Sequence, residues 1–161
     1  MTISPATRIS KLALLTLSLA AVGPLMAAPA AAPSPQAAIA ARQAGFKKMG
    51  AAMKALNDQL KTDAPAKAAL ASAAQTLTMT ARAQPALFPA GSGPAAGVRT
   101  DALPDIWTQR TVFDGQMARM IAETGKLVNV VNSGDVDAIR VQAKATGATC
   151  GACHRQFRAD N

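Results

Sequence analysis

Phe113, Met117, Met120, Thr124, Leu127 and Val131 follow one another at steps of four and three residues. That period puts all six on one stripe of an α-helix; a half-buried strand would alternate at every residue. Three more segments keep the same rhythm. Pro35 to Lys61 presents Ile39, Phe46, Met49, Met53, Leu56 and Leu60. A second helix starts at Asp63 or Pro65, carries Leu70, Ala73, Leu77 and Ala81, and ends before Pro85. The third, with the opening stripe, spans Leu103 to Asn132 and is broken by Asn132-Ser133-Gly134. The fourth begins at Asp135 and aligns Val136, Ile139, Ala143, Thr146, Cys150, Cys153 and Phe157. Asp135 and Asp137 suit the positive end of its dipole. Ser34 is placed to cap the first helix, with Pro35 in its first turn. Pro85 to Thr100 (PALFPAGSGPAAGVRT) has no period and reads as a long loop, a length often tied to function.

Four such helices predict an all-α fold, a four-helix bundle over residues 35–161. Half the residues are apolar, alanine dominates and tyrosine is absent, which favours helix over strand. No internal repeat is evident, and no strand–helix alternation supports a thioredoxin-like chain.

The first residues stand outside this pattern. Arg8 and Lys11 precede an apolar run from Leu12 to Val22, and small residues follow at Ala27 and Ala28. This is the layout of a cleaved secretory signal, residues 1–28, and the run is short for a membrane span. Residues 29–34 read as a Pro/Ala linker. The mature chain would hold about 133 residues with a net charge of about +6, the cations dispersed and not interleaved with aromatics. That pattern argues against nucleic-acid binding, and with the signal removed no membrane span is expected.

Both cysteines and the only histidine fall within Cys150-Gly151-Ala152-Cys153-His154. Export makes a disulfide the plainest reading, but a loop this small would remove little entropy from the unfolded chain. A structural zinc site needs four ligands and the cluster offers three. A redox CxxC belongs at a helix N-terminus, where the dipole favours thiolate; here it lies at the C-terminal end. The spacing C-x-x-C-H also matches covalent attachment of haem c: two thioethers from Cys150 and Cys153, and His154 as axial ligand to the iron. Export, helical context and the use of every Cys and His favour this reading. Gly151 and Ala152 let a planar macrocycle lie against the backbone, and Gly147 offers the same close approach.

The C-terminal CGACHRQFR on a fourth helix, together with RQAGF (Arg42 to Phe46), LFPAGSG in the loop and LPDIW (Leu103 to Trp107), resembles the cytochrome c′ family of class II c-type cytochromes. The resemblance covers Gln36 to the end of the chain and implies that the bundle is antiparallel, up-down-up-down. It implies one covalently bound haem c per chain. It implies that Phe46 covers the distal face of a five-coordinate, high-spin iron where low-spin relatives carry a ligating methionine. Met49, three residues on, is the alternative ligand, although its place on the stripe is explained by packing. Arg42 and Gln43 match residues at the haem edge and propionates, and Thr100 and Asp101 match positions near the haem. Arg158 matches an arginine flanking the proximal pocket; a cation at a helix C-terminus is favourable for the dipole alone. Phe88 and Trp107 are candidate pocket walls, and core packing explains them equally well.

The function implied is a periplasmic haem protein that binds nitric oxide and carbon monoxide and protects against nitrosative stress. An apolar distal face offers bound dioxygen no hydrogen bond. The alternative is an electron-transfer cytochrome with a six-coordinate, low-spin haem, served by an electron donor the sequence does not identify. Enzyme activity is not expected, since no second histidine remains as a general acid or base. The resemblance also implies a homodimer through the first two helices, whose alanine-rich faces permit close packing.

Overall fold

The computed structural model describes residues 33–159, so the expected signal at 1–28 and most of the linker lie outside the described residues. Four long helices form the body: α1 (Pro35–Leu60), α2 (Lys67–Ala83), α4 (Arg110–Ser133) and α5 (Val136–Phe157), with a single-turn α3 (Asp105–Thr108) leading into α4. Among the described residues there is no strand, only an isolated antiparallel bridge between Ala102 and Arg158. No described helix is long and apolar enough to cross a membrane.

Local chemistry sets the helix ends. Ser34 Oγ accepts from Ala37 N at 3.2 Å and Pro35 occupies the first turn. Asp135 caps α5 by accepting from the backbone N–H groups of Asp137 and Ala138 at 3.0 and 3.1 Å. Gly134, at φ 80°, ends α4 in the left-handed region where glycine is preferred. The loop expected between Pro85 and Thr100 contains two 3-10 turns, Pro85–Leu87 and Pro94–Ala96.

Two expected boundaries move. The second helix starts at Lys67 rather than at Asp63 or Pro65. Ala66 stays extended, and its N–H is taken by Gln59 Oε1 at 2.9 Å, which closes the turn from α1. The third helix is not continuous from Leu103. Gln109 leaves helical geometry at φ −115°, ψ 42°. The residues flanking it are both drawn to the loop: Trp107 Nε1 donates to Pro89 O at 3.0 Å and Arg110 Nη1 to Phe88 O at 2.9 Å.

The helices bury the predicted stripes. Leu56, Leu77, Phe113, Leu127 and Ile139 are at most 1 % exposed and form the middle of the core. α1 packs along α2, α2 along α4 and α4 along α5, whereas α1 and α5 meet sparsely. The bundle is therefore closed on three sides and looser on the fourth. That looser side is where the cavity lies.

Candidate functional site

A cavity of about 670 Å³ occupies the end of the bundle near the α1 N-terminus and the α5 C-terminus. Its size is that of a cofactor pocket. α5 contributes Cys150, Cys153 and His154 to one wall, since three- and four-residue steps put them on one helix face. α1 contributes Arg42, Gln43, Phe46, Lys47 and Met49 to the other.

Two observations tie these helices together. At the far end of their seam Arg140 Nη2 donates to Leu60 O at 3.2 Å. Toward the other end Phe46 from α1 and His154 from α5 line the same cavity.

An aromatic ladder backs the cavity. Ring centroids are 6.3 Å apart for Phe46 and Phe88, 4.7 Å for Phe88 and Phe113, and 5.3 Å for Phe113 and Phe157. Phe88 lines the cavity; Trp107 does not. Trp107 stands one layer back, 6.4 Å from Phe88, tied to the loop through its indole N–H. Gly93 allows this, because a Cβ there would come within 3.1 Å of the indole ring.

Arg42 is 2 % exposed. Its guanidinium lies 4.7 Å from the Phe88 ring centroid and 5.8 Å from that of Trp107. It donates to Ser92 O (2.7 Å), Ser92 Oγ (3.0 Å), Thr100 Oγ1 (2.8 Å) and Leu87 O (3.4 Å). Among the described residues no carboxylate pairs with it, and burial alone pulls its pKa below the usual arginine value. A buried cation without a counter-charge beside an apolar cavity is costly and suits an anionic group bound there. The propionates of a haem are of that kind.

The rest of the rim is polar. Gln43 donates to Arg99 O at 2.9 Å and Asp101 pairs with Arg158 at 3.6 Å. The short bridge at Ala102 and Arg158 holds the α5 terminus against the loop: Leu103 N donates to Phe157 O and Ala159 N to Asp101 O, at 3.0 and 2.8 Å. Arg158 accordingly leaves helical geometry, at φ −120° and ψ 134°.

Burial pushes the Cys153 thiol up to about 11, aided by its neighbour Cys150, and burial raises Cys150 too. These are the thiols of a buried wall, not the activated thiolates of a redox centre. Partial desolvation, then the charge of Arg158, holds His154 below the ordinary imidazole value, so a neutral nitrogen is available to a metal. Two thiols, one imidazole, apolar walls and an uncompensated cation at the rim together fit haem c.

The structure brings together every predicted site residue around the cavity except Trp107. Sequence reasoning missed Ser92, which is fully buried between Arg42 and Pro89 O, and Gln116, which lines the cavity and donates to Gln156 Oε1 at 2.8 Å. Ser92 sits in the quoted LFPAGSG loop, where its small polar side chain among glycines was the available signal. Gln116 carried none.

Comparison with known proteins agrees with this chemistry. Residues 37–158 match the family model described as Cytochrome C'. Cytochrome c′ of Rhodospirillum rubrum is 30% identical over 131 residues, covering 81% of this chain and 88% of that protein. The crystal structure of cytochrome c′ from Thermochromatium tepidum superposes with a TM-score of 0.76 at 25% identity, over 81% of this chain and 100% of that one. A nitric oxide complex of a cytochrome c prime variant from Alcaligenes xylosoxidans superposes at 0.71, also at 25% identity, over 79% and 98%. Given this match and the Cys150–Cys153–His154 wall, the chain belongs to the cytochrome c′ family and binds haem c covalently.

Proposed function

We propose that this is a periplasmic haem protein that binds nitric oxide and carbon monoxide, with His154 as the axial ligand and Phe46 over the opposite face. The observation that carries the reading is that Phe46 from α1 and Cys150, Cys153 and His154 from α5 line one apolar cavity. When bound, the haem would supply an iron able to take a diatomic ligand. The chain's residues do the rest. Cys150 and Cys153 fix the macrocycle to α5. Arg42, its terminal N–H groups held by the loop, would set a positive charge near the propionate edge, with Gln43, Thr100 and Asp101 beside it. Phe46 presents a phenyl ring that cannot ligate and cannot hydrogen-bond, which disfavours dioxygen and tolerates apolar diatomics that push it aside. Arg158 places a donor on the His154 side. The nitric oxide complex of the Alcaligenes protein supports this choice of ligand, and protection against nitrosative stress is the role it suggests.

In the same reading residues 1–28 are a cleaved export signal and 29–34 a linker, and the protein is a binder rather than an enzyme. It forms a homodimer through α1 and α2. Exposed Ala37, Ala41, Ala44, Ala51 and Ala55 lie along one stripe of α1 and leave room for a second helix. A related structure is described as a cytochrome c′ with ligand-controlled dimer dissociation.

One observation favours a second reading, electron transfer with a partner not yet known. Met49 also lines the cavity, a thioether within the same wall as Phe46. Optical and EPR spectra of the ferric and ferrous holoprotein, before and after nitric oxide and carbon monoxide, decide between the two. A high-spin signal that shifts with both gases is expected. A low-spin signal indifferent to carbon monoxide would assign Met49 to the iron and the protein to electron transfer.

A further inference from the structure

A second cavity, of about 520 Å³, lies between α1 and α5 below the first. Met53 from α1 and Gly147 from α5 line both, so this pair forms the neck between the two spaces. Gly147 has no side chain, and a Cβ there would meet nothing within 4 Å. Met53 is only half-buried and its thioether chain is flexible. The seam is also where the bundle packs most loosely.

The lining changes along its length. Met53, Leu60, Ala143 and Gly147 make an apolar floor, and Lys61, Arg140 and Lys144 stand at the rim with Asn57. Two of the cations are held in place: Lys61 by Asp58, and Arg140 by Asp137 and Leu60 O. An apolar neck below a cationic rim passes small uncharged molecules and turns back hydrated cations. We propose that this α1–α5 groove is the route by which uncharged diatomic gases reach the haem cavity, with Met53 as its gate. The proposal rests on the gas-binding reading, but the xenon measurement that tests it does not.

Asn57 and Lys144 are exposed and line only the groove. The double variant Asn57→Trp, Lys144→Trp covers it without touching the haem cavity. Two measurements apply to the holoprotein. Crystals under xenon pressure are expected to hold xenon between Met53 and Gly147. Flash photolysis of the carbon monoxide complex is expected to show association and dissociation slowed equally in the double variant, by about tenfold, or about 1.4 kcal/mol on the access barrier. Affinity then stays unchanged, which distinguishes a route from a damaged site. Met53→Ala is expected to speed both rates. Unchanged rates in the double variant, with slowing by Lys47→Trp at the other mouth, overturn the route. If the holoprotein takes up no carbon monoxide, the gas-binding reading fails, and absence of xenon from the neck then refutes the route independently.

Discussion

Phe46 on α1 and His154 on α5 line one cavity from two helices that meet sparsely, with Arg140 bonded to Leu60 O farther along the same seam. In the proposed reading a group at position 46 stands opposite the axial ligand. Phe46→Met is expected to turn a high-spin spectrum low-spin by placing a thioether there, read by EPR and by loss of carbon monoxide uptake. Met49→Leu is expected to leave the wild-type spectrum high-spin.

The two thiols can be separated by how firmly haem is retained. Cys150→Ala or Cys153→Ala alone is expected to leave one thioether, so that haem resists acid–acetone extraction and the pyridine haemochrome band shifts to the red. The double variant is expected to release its haem to the solvent phase.

Arg42 holds together a loop that has no regular pairing of its own. Arg42→Leu removes donors from Ser92 O, Ser92 Oγ, Thr100 Oγ1 and Leu87 O, four acceptors gathered on one guanidinium. Leaving buried acceptors unpaired is expected to cost about 2–4 kcal/mol in urea unfolding. Arg42→Lys is expected to recover only part, since an ammonium lacks the planar fork and its stacking on Phe88.

Gly45 is needed beside Phe46 because Gln84 fills the space where a side chain would go. A Cβ at Gly45 would lie 2.1 Å from Gln84 Nε2, and Gln84 is 1 % exposed. Gly45→Ala is expected to destabilise by about 1–3 kcal/mol despite its better helix propensity. Gln84→Ala is expected to relieve the clash, so a double-mutant cycle should show favourable coupling between the two changes.

Stability should fall in acid for reasons visible at two carboxylates. Asp58, bonded to Lys54 and then Lys61, and Glu123, bonded to Lys126 and then Gln142, are both held below the usual carboxylate range. Groups depressed in the folded state add stability above their unfolded value, and that stability is lost as pH falls through the ordinary range toward the lowered one. Both lie partly exposed at the surface and their lysine partners stand in solvent, so the effect is small. Urea midpoints between neutral pH and pH 3 are expected to fall less steeply in Asp58→Asn, Glu123→Gln than in wild type.

The stripes, the caps at Ser34 and Asp135 and the cluster from Cys150 to His154 are legible in the sequence because each is local. Period, capping and ligand spacing all act within two turns of helix. The break at Gln109 is not local. Its neighbours Trp107 and Arg110 bond to Pro89 O and Phe88 O, about twenty residues back, and nothing in the run from Leu103 to Asn132 announces those partners. The same separation hides Ser92 beneath Arg42, fifty residues away. It also sets Trp107 behind Phe88 instead of on the cavity wall. The sequence by itself determined the helices and the haem-binding wall. Tertiary structure decided that Phe46 and His154 line one cavity, that Arg42 is buried with no carboxylate beside it among the described residues, and that α1 and α5 meet sparsely. Those three facts depend on how separate helices register and pack, and pair contacts between distant segments leave no periodic trace in either segment alone.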